Sequence, residues 1–265
     1  MRLTHGRHRG GVCASERQNI GIARHFVRTV YSPPKTAMRA TAALGGAYER
    51  MQMQRATVLA AASRTPRDHD VGVMPRAPLS TKPHEPLWVF GYGSIVWNVG
   101  FEYVSTRTLC ARGFRRRFYQ GSTDHRGTVE FPGRTVTLEH CDAREVVWGA
   151  AYEVSPEHRE RVIEYLEVRE KQYDARIEMD LFDSADEGAE PVIRNAVTYI
   201  ATPSEYNLNW LGDAGDLAEQ IARARGPSGE NCEYLYNLAI AMRDIGVEDD
   251  HLYNLEAAVR AIRGD

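Results

Sequence analysis

Trp88-Val89-Phe90-Gly91-Tyr92-Gly93-Ser94-Ile95 is the stretch from which the rest of the chain is read. Trp88, Val89 and Phe90 suit a half-buried pleated strand, where bulky and β-branched side chains pack well. Gly91 and Gly93 then remove Cβ where the chain must turn sharply or admit a ligand close to its backbone. Successive N–H groups in such a turn form a concave site suited to a carboxylate or phosphate. A plain strand-ending turn has the same local sequence, so the stretch alone leaves both readings open. It is not a dinucleotide fingerprint, because Val96 stands where the third glycine would be.

The 265 residues allow one large domain or two small ones. Apolar content of 43% and charged content of 26% are those of an ordinary soluble globular protein with a core of useful size. No apolar run approaches the ~20 residues of a membrane helix. The four cysteines, Cys13, Cys110, Cys141 and Cys232, are scattered without a C-x-x-C pair. That argues against a zinc ribbon, a thioredoxin motif or a disulfide scaffold, and favours reduced thiols. No H-E-x-x-H occurs among the nine histidines, so no metal site is readable. Cytoplasm is the default expectation for such a chain.

Net charge is −3, but residues 1–80 carry roughly 13 Lys/Arg against 4 Asp/Glu. The remainder is therefore acidic, and nucleic acid is not an expected partner, since phosphate binding needs a basic footprint. Residues 1–85 are rich in Arg, Ala, Ser and Pro, and are expected to form a basic extension of low order. Within them Ile22, Phe26 and Val30 recur at helical spacing beside Arg24 and Arg28, the pattern of an organellar transit segment. A disordered tail, or a true start at Met51 or Met74, would explain the same residues.

From Leu87 the texture is globular, and residues 86–265 are expected to form one domain. Strands are expected over Leu87–Phe90, within Thr106–Tyr119, over Arg134–Glu139, Glu145–Val154 and Ala175–Leu181, and within Pro191–Ala201. Gly149 inside the fourth suggests a bulge or a close backbone approach. Ser155-Pro156-Glu157 reads as a helix start, with Ser155 capping. Val162, Tyr165 and Leu166 would form the buried face, and the helix should run out near Arg169. Glu170 then faces the negative end of the helix dipole, which raises the pKa of a carboxyl group. Leu217 and Ile221, then Leu235 to Ile245, then Leu252 to Ile262 mark three further helices. Strands, one helix among them, then helices point to an α+β fold.

Six stretches, in this order, resemble one family. They are Val89 to Trp97, Arg116 to Gly127, Pro132-Gly133-Arg134, Val147 to Tyr152, Tyr165 to Lys171 and Gly226 to Leu235. The chain from about residue 87 to 263 is similar to the ChaC family, the glutathione-specific γ-glutamylcyclotransferases. The resemblance implies a γ-glutamylcyclotransferase-like fold, a small mixed β-barrel flanked by helices. It implies a lyase that cleaves glutathione to 5-oxoproline and Cys-Gly, without a cofactor, a metal or an obligate protein partner. The substrate's own α-amine would attack its γ-carbonyl, so no protein nucleophile is needed.

By its place in Arg169-Glu170-Lys171, Glu170 would be the catalytic base. Val89, Phe90, Gly91, Tyr92, Gly93 and Ser94 would form the substrate loop. Ile95 stands where the family commonly has Leu. Arg116, Arg117 and Arg134 are candidates for the glycine carboxylate of glutathione, and a solvated basic rim is the other reading. Tyr234 is a further candidate contact, Asp124-His125-Arg126 is either supporting or a polar turn, and Asn231 reads as a helix N-cap. Glu167, three residues before Glu170, is the second candidate base. Cyclotransfer on other γ-glutamyl compounds, or non-catalytic binding of γ-glutamyl peptides, are the alternative functions.

Overall fold

The computed structural model describes residues 76–265. The Ile22–Val30 segment and the alternative starts at Met51 and Met74 lie outside these residues. The chain forms β1 (Leu87–Gly91), β2 (Ser105–Arg112), β3 (Phe114–Ser122), β4 (Gly133–His140), β5 (Val146–Val154), α1 (Arg159–Arg169), β6 (Ala175–Phe182) and β7 (Ile193–Ile200). Helices α2 (Leu217–Arg223), α3 (Asn231–Asp244) and α4 (Asp250–Arg263) follow, with a two-residue ribbon, Arg225–Gly226 against Gly229–Glu230, between the first two.

Five strands close into a barrel in the order β1-β5-β2-β6-β7, while β3 and β4 pair as a separate hairpin. All pairings are antiparallel except β1 with β7. The expected mixed barrel flanked by helices is therefore found. The single expected strand within Thr106–Tyr119 is two strands, broken at Gly113, whose φ of 76° is a left-handed conformation suited to glycine.

The pleat sorts β1 and β5 between two cores. Leu87 and Val89 of β1, with Ala150, Tyr152 and Val154 of β5, pack beneath Val162 and Leu166 of α1. Phe90, with Val147 and Ala151, joins the larger cluster built from β2, β3, β4 and the C-terminal helices. Strands apolar on both faces are thus required, which is what the runs Leu87–Phe90 and Val146–Val154 supply. Full burial of Val162 and of Leu166 contributes roughly 1.5–3 kcal/mol each, enough to fix α1 against the barrel. Tyr165, expected on that buried face, is instead 39% exposed.

Two caps differ from expectation. Residues 156–158 form a turn, and α1 begins at Arg159 without a side-chain cap from Ser155. Asn231 is the first residue of α3 and is fully buried. Its side chain accepts from Arg134 N (2.6 Å) and donates to Arg134 O (2.8 Å), so it stands in for a paired strand beside β4. Both are tertiary demands that outweigh a local capping preference. Among the described residues no helix is long and apolar enough to cross a membrane.

Gly149 makes the close approach expected of it. A Cβ there would lie 2.3 Å from the Gly91 carbonyl oxygen and 2.8 Å from Phe90 Cζ. Gly149→Ala must therefore push β1 and β5 apart. It is expected to cost roughly 1–3 kcal/mol or more, read as a lower urea midpoint at unchanged slope. An unchanged midpoint would show that the two strands have slack there.

Candidate active site

The turn after β1 follows directly on Gly91, the last residue of that barrel strand. Val96 N–H donates to Gly93 O (2.9 Å) and Trp97 N–H to Ser94 O (3.3 Å), making a single 3-10 turn over Ser94–Val96. The N–H groups of Gly93, Ser94 and Ile95 find no acceptor among the described residues. Three free donors at the start of a helical turn form an anion cradle. Gly93 is needed because a Cβ would lie 2.8 Å from Val136 Cγ2 and 3.1 Å from the Tyr234 hydroxyl.

Glu170 is the residue at which α1 ends, and its N–H still donates to Leu166 O (2.8 Å). Its side chain is only 12% exposed. Burial pushes its carboxyl above the ordinary glutamate value, while the positive charges of Arg169 and Arg76 act in the opposite direction and do not cancel it. Arg169 Nε lies 3.3 Å from Glu170 Oε1. The same guanidinium donates to Val99 O (2.7 Å) and Ser94 Oγ (3.1 Å), tying the end of α1 to the glycine turn.

Tyr92, Tyr173 and Tyr234 each feel the charge of Glu170, and burial holds all three phenols well above their usual range. Their protons are used differently. Tyr92 donates to Tyr199 O (2.6 Å) and Tyr173 to Val136 O (2.8 Å). Tyr234 instead accepts from Val136 N–H (3.4 Å), and its own proton has no acceptor among the described residues. Tyr234 is thus the phenol with a donor to offer a ligand.

Two adjoining hollows share Ser94, Glu170 and Tyr173. The smaller, about 20 Å³, runs beneath Phe90, Gly91, Tyr92 and Gly93. The larger, about 220 Å³, extends past Tyr234, Trp97 and Gln172 to His125, Arg126 and Ser228. Val89 points away from both, into the core under α1. Arg126 is held by Glu230 O (2.9 Å) and Glu233 (2.8 Å) through Nη1, leaving Nε and Nη2 without partners among the described residues. His125 Nδ1 lies 3.2 Å from Ser228 Oγ.

Arg116 and Arg134 do not reach this cavity, contrary to the expectation that they contact substrate. Arg116 is buried and donates to Tyr92 O (2.8 Å) and Trp148 O (2.7 Å), and it pairs with Asp249. It braces the glycine turn from behind. Arg134 is also buried, donating to Gln220 (2.7 Å), Phe118 O (3.2 Å), Gly212 O (2.5 Å) and Ala214 O. Its burial lowers its pKa to about 10, so it remains charged but committed. Glu167, the second candidate base, is ion-paired with Arg76 and Arg176 and does not line either hollow. Tyr173 and Arg169 are the site residues that the sequence reading passed over. Their place beside Glu170, in Arg169-Glu170-Lys171-Gln172-Tyr173, was the available signal. Among the described residues no cluster of His, Cys, Asp or Glu is arranged to hold a metal ion.

A five-stranded barrel carrying a buried carboxyl beside a glycine turn defines a γ-glutamylcyclotransferase-type fold. A crystal structure of a glutathione-specific γ-glutamylcyclotransferase from yeast matches it with a TM-score of 0.60 at 29% identity, over 67% of this chain and 97% of that one. The profile described as ChaC-like protein matches residues 87–262, and the chain belongs to that family. Among relatives, γ-glutamylcyclotransferase 2-3 of Arabidopsis thaliana is 46% identical over 66% of this chain and 89% of its own. Glutathione-specific γ-glutamylcyclotransferase 1 of Homo sapiens is 41% identical over 66% and 79%.

The raised Glu170 carboxyl carries a stability cost. As pH rises from the ordinary glutamate value through the higher folded one, the unfolded chain loses this proton first, and stability falls across that window. Glu170→Gln removes the effect. Its melting temperature should exceed that of the parent above the window and approach it below. A variant less stable than the parent at neutral pH would contradict the burial penalty.

Proposed function

We propose that this protein degrades glutathione, cleaving it to 5-oxoproline and Cys-Gly. The observation that carries the reading is Glu170, a desolvated carboxyl set between free backbone donors and a cavity large enough for a peptide tail. Its relatives' names supply the reaction class.

The γ-glutamyl α-carboxylate would lie on the N–H groups of Gly93, Ser94 and Ile95. That anchor folds the substrate so that its α-amine approaches its own γ-carbonyl, and the proximity term replaces a protein nucleophile. The α-ammonium first gives one proton to solvent to become nucleophilic, and Glu170 takes the second from the same nitrogen as the ring closes. The Tyr234 hydroxyl donates to the carbonyl oxygen as negative charge develops there. The amide C–N bond then breaks, and Glu170 returns a proton to the departing cysteinyl amine. One carboxyl serves both transfers because burial has brought its pKa toward the working pH.

Glutathione is preferred to a γ-glutamyl dipeptide as substrate because the larger hollow continues beyond Glu170 to Arg126. The unpaired Nε and Nη2 of Arg126 fit the terminal glycine carboxylate, the role expected of Arg116, Arg117 or Arg134 from the sequence.

Purified protein should release 5-oxoproline from glutathione in preference to γ-Glu-Ala, and Glu170→Gln should abolish release. The acid limb of kcat/KM should lie above the ordinary glutamate range, because Glu170 must be ionised to act. Full activity in Glu170→Gln would overturn the assignment of the base. Arg126→Ala should raise KM for glutathione roughly tenfold or more, with kcat little changed, as expected for a charged hydrogen bond used only in binding. An unchanged KM would remove Arg126 from the substrate site.

A further inference from the structure

The segment before β1 lies outside the ChaC-like match, which begins at residue 87. Its described residues are nevertheless fastened to α1 and to the barrel, at three points among others. Arg159 donates to Thr81 O (2.9 Å) and Glu85 O (3.3 Å). Ser80 donates through its N–H (2.9 Å) and hydroxyl (2.6 Å) to Glu178 of β6. The third fastening is Arg76, whose side chain is 12% exposed.

Arg76 Nη1 lies 2.8 Å from Glu167 Oε2 in the last turn of α1. Its Nη2 donates to Tyr173 O (2.9 Å), just past that helix. Its guanidinium also sits over the Tyr199 ring at 4.7 Å. Glu170 lies midway between residues 167 and 173, and Tyr173 N–H closes the turn onto Glu170 O (2.9 Å). Arg76 therefore hydrogen-bonds the backbone on one side of Glu170 through Nη2 and is ion-paired, without hydrogen-bond geometry, to a side chain on the other.

We propose that Arg76 is a positioning residue for the cyclotransfer reaction, tying the last turn of α1 to the turn after it and holding a second positive charge near Glu170. The inference rests on Glu170 as the base. The ionisable groups lining the two hollows with Glu170 are Arg169 on its own helix, Tyr92 after β1, Tyr173 before β6, Tyr199 on β7 and Tyr234 on α3, with Arg126 and His125 across the cavity. Arg169, together with Arg76 outside the two hollows, supplies the charges that favour the ionised form of Glu170. Glu167 cannot neutralise Arg76 alone, since it also pairs with Arg176 at 2.5 Å.

The test compares Arg76→Gln and Arg76→Lys in the full chain, with glutathione as substrate and 5-oxoproline as readout. Gln keeps a donor for Tyr173 O without the charge, and Lys keeps the charge without the two-pronged grip. Arg76→Gln is expected to move the acid limb of kcat/KM to higher pH, because losing a positive charge makes Glu170 harder to ionise. It should also lower kcat roughly tenfold, well within the ~10²-fold scale on which misplacement near a reacting group costs. Arg76→Lys should restore the limb while recovering only part of kcat. A parental limb in Arg76→Gln, or the same displaced limb in both variants, would overturn the proposal. Titrating the Glu170 carboxyl directly by ¹³C NMR gives the same comparison should a variant turn over too slowly. Glu170→Gln run alongside separates the two readings. If it is inactive while Arg76→Gln keeps the parental limb, only the role of Arg76 fails, and if it is fully active both fail.

Discussion

One carboxyl group kept from water at the end of a helix organises this protein. Glu170 sits where α1 stops, where the dipole and burial both oppose its charge. Such a group persists only when its surroundings hold it. Arg169 joins it to the glycine turn, and Val136 on β4 engages two of the three phenols around it, accepting from Tyr173 and donating to Tyr234. The barrel is therefore less a container than a frame that brings a strand end, a helix end and a hairpin strand to one point.

The division of labour among the neighbours follows from where their protons go. Tyr92 and Tyr173 give theirs to backbone carbonyls and act as spacers, whereas Tyr234 retains a proton for a ligand. Arg116 supports the turn from behind through Tyr92 O, so its removal would act on the loop rather than on substrate. Of the two described arginines that line the larger hollow, Arg126 keeps free donors whereas Arg169 is committed to Glu170, Val99 O and Ser94. Charge type is common to all of these arginines, and it is the competing partners that separate a binding residue from a brace.

Much of this was legible in the chain. The β1 run, the glycine turn, the close approach at Gly149 and the helix ending at Arg169 are local patterns of alternation, period and punctuation, and the structure has each of them. The errors were long-range. Asn231 looks like a cap, but its two hydrogen bonds go to Arg134, 97 residues away. Arg116 reads as a candidate for the glycine carboxylate or as part of a solvated rim, although it alternates in phase with Phe114 and Phe118, both buried. An arginine on the apolar face of a strand announces a buried brace, and that signal was present in Phe114-Arg115-Arg116-Arg117-Phe118. Nothing in the sequence near Arg76 connects it with Glu170, because the connection exists only once β6, β7 and α1 have packed.

The measurement closest to the central claim is a ¹³C NMR titration of the Glu170 carboxyl in the full chain, assigned by its disappearance in Glu170→Gln. The account predicts an inflection above the ordinary glutamate range, coincident with the acid limb of glutathione cleavage. An inflection at or below that range would mean that the flanking arginines outweigh burial, and Glu170 would then lack the proton affinity that both transfers require.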